Sequence, residues 1–315
     1  MEGGNGATNG SGITQRAFSP PYSERNLHTF RFASGELRNS VRSANSITAF
    51  HFSYYLPLTT YPFPSPMNYT KSFVLFIALL AASPLFAQET IRVMSYNVRN
   101  CVGMDGSRFD VDRVAKVVTS ANPDIAGIQE LDCKTERSGG RDILTELSAG
   151  TKLHGEFSAA IEFQGGQYGI GSLTKQKPLS VRTVPLPGEE ERRAIHILEF
   201  DKYVFFVTHL SLTPASRAES VPIINAERDK YSKPVILVGD FNAMPDSAVM
   251  KEFFKTWQDV GPKSFTFPAN QPKIRIDYVL VSVPGNKPVR VVDAKVLDEP
   301  IASDHRPIIS VIELP

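Results

Sequence analysis

The feature that most constrains the fold is a run of five strand signals in mid-chain with no helix between them. The five lie at 156–163, 167–174, 179–184, 193–200 and 203–210. Their alternation and short polar breaks predict antiparallel hairpins, whereas strands and helices alternate elsewhere. We therefore expect an α/β fold of two packed β-sheets, a β-sandwich flanked by helices on both outer faces. A doubly wound fold is disfavoured, because it needs crossover helices and a glycine-rich phosphate loop.

The first 87 residues differ in composition from the rest. Residues 1–66 are rich in Gly, Ser, Asn, Arg and Pro without a periodic pattern, which predicts a disordered extension and suggests Met67 as the true initiator. Residues 67–87, a basic start with an apolar run ending at Ala87, predict a cleaved signal peptide; an uncleaved anchor is the alternative. Residues 88–315 would then be one exported domain, periplasmic or extracellular, without a stable membrane span and monomeric.

Charge restricts the partners of that domain. From Gln88 onward, 28 Lys and Arg face 30 Asp and Glu, a net charge of −2. A bulk positive field that would drive non-specific nucleic-acid binding is therefore excluded, although a local basic patch is not. The two cysteines, Cys101 and Cys133, fit either one disulfide or two free thiols in an exported protein.

Polar side chains collect where the predicted strands end. They are Asn97, Glu130, His209, Asp240, Asn242, Asp277, Asp304 and His305. Taken singly, most are ordinary turn formers or solvated groups. Asp277 differs, since it interrupts the apolar run 274–281, and a buried carboxylate is costly unless it is paired. Together, hard oxygen ligands with two histidines and no cysteine favour magnesium over zinc.

These residues lie in motifs that resemble the endonuclease/exonuclease/phosphatase superfamily, in that family's order. The motifs are SYNV, IQE, THL, GDFN, IDYVL and SDHRP, spread over residues 90–315. GDFN and SDHRP carry most of the resemblance. It implies a helix-flanked β-sandwich and a metal-dependent phosphoesterase, as in secreted deoxyribonucleases, abasic-site endonucleases, neutral sphingomyelinases and inositol polyphosphate phosphatases.

The resemblance also implies a metal centre and a base. Glu130 is similar to the principal metal carboxylate, with Asn97 and Asp304 in or beside its coordination shell. The expected cofactor is Mg²⁺, with Mn²⁺ as an alternative. Asp277 is similar to the carboxylate that fixes the tautomer of His305, and His305 to the base that activates water.

The remaining roles concern the phosphate. Asp240 and Asn242 resemble groups that orient the nucleophile and bind phosphate oxygens, and they would project to one side if the strand continued. His209 resembles a histidine that contacts the scissile phosphate and protonates the leaving group. Tyr168, in GGQYGIG, resembles a phosphate-contacting tyrosine, with a packed aromatic as the alternative. Asp132 either supports the metal or is a turn residue.

Two departures weaken particular branches. Arg99 stands where abasic-site enzymes carry an acidic residue, and Lys273-Ile274-Arg275-Ile276 replaces the run typical of inositol phosphatases. The sequence is more similar to a compact exported bacterial branch. We expect a phosphodiesterase acting on a phospholipid head group, a nucleotide or a nucleic acid. The alternatives are a phosphomonoesterase on a small metabolite and an inactive binding module, against which the complete motif set argues.

Overall fold

The computed structural model describes residues 90–315, which form two six-stranded sheets and four α-helices. The predicted disordered extension 1–66 and signal peptide 67–87 lie outside the described residues. Within 90–315, no helix is both long enough and apolar enough to cross a membrane.

The first sheet has the spatial order β11-β12-β1-β2-β4-β3, and the second has the order β5-β6-β7-β8-β10-β9. The strands of the first are β1 (Thr90–Asn97), β2 (Ile125–Cys133), β3 (His154–Phe163), β4 (Gly166–Thr174), β11 (Arg290–Val296) and β12 (Ile308–Glu313). Those of the second are β5 (Ser180–Leu186), β6 (Arg193–Glu199), β7 (Val204–His209), β8 (Val235–Asp240), β9 (Gln258–Asp259) and β10 (Asp277–Ser282).

The helices lie outside this sandwich, as the sequence predicted. They are α1 (Val111–Ala121), α2 (Ile143–Thr151), α3 (Pro214–Arg228) and α4 (Ala248–Phe253). The apolar side chains of α1 and α2 pack against β1 and β2, and those of α3 and α4 against β7, β8 and β10. A third core, which includes Val93, Val207 and Val238, lies between the sheets. Burial of these faces is the main force that holds the layers together.

One strand boundary was predicted wrongly. Asp277 is the first residue of β10, not a residue inside a strand that begins at Ile274. The cause is Arg275, whose guanidinium is only 4% exposed and bonds both oxygens of Asp259 at 2.8 Å. The backbone of Ile274 instead pairs with Phe267, outside the sheet. A buried arginine of this kind is hard to distinguish from a solvated one in sequence.

The two cysteines, for which the sequence left a disulfide open, are free thiols in the structure. Cys101 is buried, and burial raises the pKa of its thiol to about 12. A thiol so far from ionisation is a poor nucleophile. Cys101 therefore acts as a small apolar residue under α1.

His196 on β6 gives the folded chain a specific acid sensitivity. Its ring is fully buried between the sheets, with Nε2 3.2 Å from the Ser172 hydroxyl, and burial lowers its pKa to about 4. Below the unfolded value of about 6.5, the unfolded chain takes up a proton that the folded chain does not. The free energy of unfolding should therefore fall by about 3 kcal/mol between pH 6.5 and 4 from this group alone.

Replacement of His196 by glutamine should remove that part of the pH dependence. The measurement is urea unfolding at several pH values for wild type, His196→Gln and the control His154→Gln, which changes an exposed histidine. The control should keep the wild-type slope. If His196→Gln also keeps it, His196 is not the group responsible.

Candidate active site

The topology brings the predicted site residues to one end of the sandwich. Strands β7 and β8 are parallel, which places His209 beside Asp240, and β8 and β10 are antiparallel, which places Asp240 opposite Asp277. In the facing sheet, β1 and β2 are parallel, so Asn97 and Glu130 end at the same edge. Hydrogen bonds then join the two sheets, since Asn97 Nδ2 donates to Asp240 Oδ2 over 3.1 Å.

His305 lies between two buried aspartates, directly before β12. Its Nδ1 is 3.0 Å from Asp277 Oδ2, and its Nε2 is 3.5 Å from Asp240 Oδ2. Asp277 also accepts a hydrogen bond from the Thr266 hydroxyl, and the Phe267 ring packs against the imidazole with centroids 4.8 Å apart. All three ionisable residues are buried, and none is more than 5% exposed. The contacts with Asp277 and Phe267 fix the plane of the His305 imidazole, and Asp277 gives Nδ1 a carboxylate partner.

The protonation of His305 and that of Asp240 depend on each other. Burial alone would lower the pKa of His305, but the charges of Asp277 and Asp240 outweigh it and raise that pKa to about 10. Burial raises the pKa of Asp240 to about 7, against the opposing pull of His305. Groups coupled this strongly titrate together, so the proton belongs to the cluster and not to one residue.

Glu130 is held in a strained backbone conformation that aims its side chain at the site. It lies in a β-bulge between Ile128 and Leu131, with φ of +59°. Few residues other than glycine adopt this conformation, and it costs of the order of 1 kcal/mol or more. Asn97 Nδ2 donates to its Oε1 over 2.8 Å. The strained backbone and this hydrogen bond together orient the Glu130 carboxylate at the end of the sandwich where the site lies.

Asp304 adds a second carboxylate beside Glu130. Burial raises the pKa of Glu130, and the charge of Asp304 raises it further. The Ser303 hydroxyl lies 3.3 Å from Asp304 Oδ1 and donates to the Asn97 carbonyl over 2.7 Å, which ties the Asp304 loop to the end of β1. Arg99 already pairs with Asp304, and a cation bound between the two carboxylates would relieve their repulsion further.

Two groupings could therefore hold a divalent cation. The first is Asp240, Asp277 and His305, whose ligand atoms lie within 4.8 Å of one another. In that group, however, the Asp277 oxygens and His305 Nδ1 are already engaged with each other and with Thr266. The second is Glu130, Asp304 and the Asn97 amide, in which Arg99, with Nε 3.5 Å from Asp304 Oδ2, offsets part of the repulsion between the carboxylates. The donor set of the second group fits a hard cation better.

His209 and Asn242 lie at the other side of Asp240. His209 Nε2 is 3.6 Å from Asp240 Oδ2, and burial, with the charges of Arg193 and His305, lowers the pKa of His209 well below its usual value. Both effects favour the neutral form of the His209 ring. Asn242 adopts φ of +48°, and its side chain donates to the Leu210 carbonyl over 2.9 Å.

The geometry of Asn242 differs from the prediction in one respect. The expectation that Asp240 and Asn242 project to one side required β8 to continue, but the strand ends at Asp240. The chain turns there, and the Asn242 amide donates to Asp240 Oδ1 over 2.9 Å. Asn242 therefore fixes the orientation of Asp240 from its own backbone, as residues after a strand end commonly do.

Sequence reasoning missed Arg193 and Glu190. Arg193 opens β6, is 5% exposed, and places its charge close enough to act on both Glu130 and His209. Glu190 bonds Arg193 and also the Ser211 hydroxyl, the Leu212 amide and the Thr213 hydroxyl, all downstream of His209. It therefore holds the loop that follows His209. In sequence both belong to the charged run EEERR, which is typical of a solvated loop.

Comparison with known proteins identifies the family. The model of the Endonuclease/Exonuclease/phosphatase family matches residues 94–305. Exodeoxyribonuclease III of Haemophilus influenzae is 25% identical over 195 residues, which cover 56% of this chain and 67% of that protein. The residues that the family model matches begin in β1 and end at His305, so they include every predicted site residue.

Solved structures share the fold. An endonuclease/exonuclease/phosphatase of Beutenbergia cavernae superposes with a TM-score of 0.60 at 22% identity, over 71% of this chain and 72% of its own. Mannosyl-6-phosphatase of Bacteroides thetaiotaomicron superposes with a TM-score of 0.57 at 19% identity, over 70% of this chain and 99% of its own. At these identities the likeness shows the fold alone.

The fold and the family together define a class of protein, the metal-dependent phosphoesterases, hydrolases that act on phosphate esters. The chain belongs to the endonuclease/exonuclease/phosphatase family. Two of the predictions from sequence, the family and the helix-flanked β-sandwich, are thereby confirmed.

Proposed function

We propose that this protein is an exported, magnesium-dependent phosphodiesterase. The observation that carries the proposal is the buried chain Asp277–His305–Asp240, which lies across Asn97 from the carboxylate of Glu130. A base with a fixed tautomer beside a cation-binding carboxylate is what attack by water on a phosphate ester requires.

The metal would be held by Glu130 and Asp304 with the Asn97 amide oxygen. Oxygen donors of this kind suit magnesium, and manganese as a substitute. A bound ion would supply positive charge to the phosphate oxygens and to the leaving oxygen. Binding would also remove the repulsion between Glu130 and Asp304 that raises the pKa of Glu130 in the protein alone.

The residues of the chain account for the proton transfer. The unprotonated form of His305, oriented by Asp277, takes a proton from water as the water oxygen bonds to phosphorus and the phosphorus–ester bond breaks. Because the charges of Asp277 and Asp240 raise the pKa of His305, this form, and the rate with it, should increase as the pH rises towards that pKa. Asp240 and Asn242 orient the attacking group. His209, buried next to Asp240, donates a hydrogen bond to a phosphate oxygen. When the phosphate charge raises its pKa, His209 takes up a proton from solvent, and this imidazolium then passes the proton to the leaving oxygen and returns to the neutral ring.

A diester is favoured over a monoester because a relative in sequence, Exodeoxyribonuclease III, is a nuclease. The net charge of −2 from Gln88 onward argues against a long nucleic-acid track. We therefore favour a small or lipid-linked diester, or the end of a nucleic-acid strand. The test is a panel in magnesium: bis-p-nitrophenyl phosphate, p-nitrophenyl phosphate, plasmid DNA and sphingomyelin. Faster hydrolysis of the monoester than of every diester would refute the diester assignment.

Export is part of the proposal and is supported only by the pattern of residues 67–87. A chain expressed from Met67 in a bacterial host should be recovered outside the cytoplasm, with Gln88 as its first residue. N-terminal sequencing of the recovered protein checks this. Recovery in the cytoplasm with residues 67–87 still attached would show that the segment does not direct export.

A further inference from the structure

The Arg137 side chain, paired with Asp132, lies near the proposed metal centre and has no part in the chemistry described above. Asp132, two residues after Glu130 on β2, is fully buried and bonds the Arg137 guanidinium through both of its oxygens. The distances are 2.7 Å from Arg137 Nε to Oδ2 and 2.7 Å from Nη2 to Oδ1. Thr135 donates to the same carboxylate over 2.9 Å. Asp132 is thus committed to Arg137 and is not available as a metal ligand.

Aromatic rings hold the Arg137 guanidinium in place, in addition to the bonds from Asp132 along one edge of the group. Its guanidinium carbon lies 4.6 Å from the centre of the Phe163 ring and 5.3 Å from that of Tyr168. Its backbone amide donates to Gln164 Oε1 over 3.0 Å, which ties the loop to the β3–β4 hairpin. An arginine normally loses much side-chain entropy when it binds a ligand, and this one has already lost it.

Yet Arg137 is still open to solvent. Its side chain is 40% exposed, and among residues 90–315 its Nη1 has no hydrogen-bond acceptor. A guanidinium that a buried carboxylate and two aromatic rings hold rigidly, with one nitrogen left free, presents donors to a planar or tetrahedral anion. A purely structural ion pair would not need that exposure.

Arg193 approaches the same place from the facing sheet. Its Nη1 and Nη2 bond Glu191 at 2.8 Å and Glu190 at 2.9 Å, while its buried Nε–H has no acceptor in the described part of the chain. Tyr168 connects the two arginines, because both charges act on its hydroxyl, as does that of Glu130. Arg137 therefore lies against the Tyr168 ring, and Arg193 is a second cation whose charge reaches the same hydroxyl.

We propose that Arg137, with Arg193 behind it, forms a subsite for a second phosphate group of the substrate, adjacent to the scissile phosphate. The inference rests on the proposed function, since it places the substrate's first phosphate at Glu130 and His305. The substrates of such a site are phosphate esters that carry a further phosphate close to the one that is cleaved. That phosphate could belong to a small bisphosphate or to the neighbouring nucleotide of a strand.

Glu191 is the competing anion in this subsite. It bonds Arg193, and the charge of Arg137 also acts on it. A second phosphate bound to Arg193 would therefore compete with the Glu191 carboxylate. The subsite therefore predicts opposite effects for two nearby substitutions: loss of Arg137 should weaken binding of the second phosphate, and neutralisation of Glu191 should strengthen it.

The test is calorimetric titration in saturating magnesium, on a His305→Ala background so that ligands are not consumed. Two ligand pairs differ by one phosphate each: fructose 6-phosphate against fructose 1,6-bisphosphate, and thymidylyl-thymidine with and without a 5′-phosphate. The extra phosphate should tighten binding about tenfold or more in at least one pair, as expected for a charge-assisted hydrogen bond to a guanidinium that is already ordered. The responsive pair identifies the source of the second phosphate.

Variants assign that gain to residues. Arg137→Ala should abolish it, Arg137→Lys should keep only part of it, Asp132→Asn should reduce it, and Glu191→Gln should increase it. Arg182→Ala is the matched control, because Arg182 is half-exposed and paired with a carboxylate, Glu227, away from the site. Thermal melting confirms that each variant is folded.

Two results would overturn the subsite: no gain from the extra phosphate in either pair, or a gain that survives in Arg137→Ala. Failure of the proposed function would appear differently, as no binding of either single-phosphate ligand. The two inferences are therefore tested separately by the same titrations.

Discussion

Replacement of His305 by alanine is expected to lower kcat/KM by about 10³-fold or more, because a general base alone typically contributes about 10²–10⁴-fold. Asp277→Asn should come close to the same loss. Its carboxylate orients the imidazole through Nδ1 at 3.0 Å, and an amide there could hold the wrong tautomer. Steady-state kinetics on bis-p-nitrophenyl phosphate measure both effects.

The double variant distinguishes a working unit from two independent contributions. If Asp277 acts only through His305, then adding Asp277→Asn to His305→Ala should cost little more activity than His305→Ala alone. A matched control is Glu227→Gln, which also removes a carboxylate from an ion pair, in this case with Arg182 on β5. Additive losses in the double variant would show that Asp277 has a role other than orienting His305.

Glu130→Gln is expected to lower activity more than about 100-fold at fixed magnesium, since loss of a charged oxygen ligand weakens binding of a hard cation. The fold should survive. Without metal, burial and the charge of Asp304 disfavour the ionised Glu130 carboxylate, so a neutral amide relieves a repulsion. The free energy of unfolding in EDTA should therefore stay unchanged or rise.

Kinetics, magnesium titration and urea unfolding together test this substitution. Glu136→Gln is the control, because Glu136 is an exposed carboxylate in the loop after β2. Glu136→Gln should leave both the activity in magnesium and the free energy of unfolding unchanged. The metal assignment is wrong if Glu130→Gln retains wild-type activity at the same magnesium concentration.

The positions of the site residues could be predicted because they follow from strand order. A polar residue at the end of a buried strand is visible in sequence, and the pairing of β7, β8 and β10 then brings His209, Asp240 and Asp277 together. Asp277 was conspicuous because a carboxylate next to an apolar run needs a partner. Its partner, His305, is 28 residues away and came from the family resemblance, not from local pattern.

Other parts of the site depend on tertiary contacts that leave no local signal. The bulge that turns Glu130 to φ of +59° arises from its pairing with β4. Arg193 lies in a charged run typical of solvent, yet the fold buries it against Glu190 and Glu191. Arg137 appears as one of several loop cations until Asp132 and the two aromatic rings are placed around it.

The central claim is that this site hydrolyses a phosphodiester with the aid of a bound divalent cation. It is tested most directly by the initial rate of bis-p-nitrophenyl phosphate hydrolysis as magnesium is added back to EDTA-treated protein. The account predicts no turnover in EDTA, a saturable rise with magnesium, and no comparable rise for Glu130→Gln. Full turnover in EDTA, or an identical magnesium response in Glu130→Gln, would contradict it.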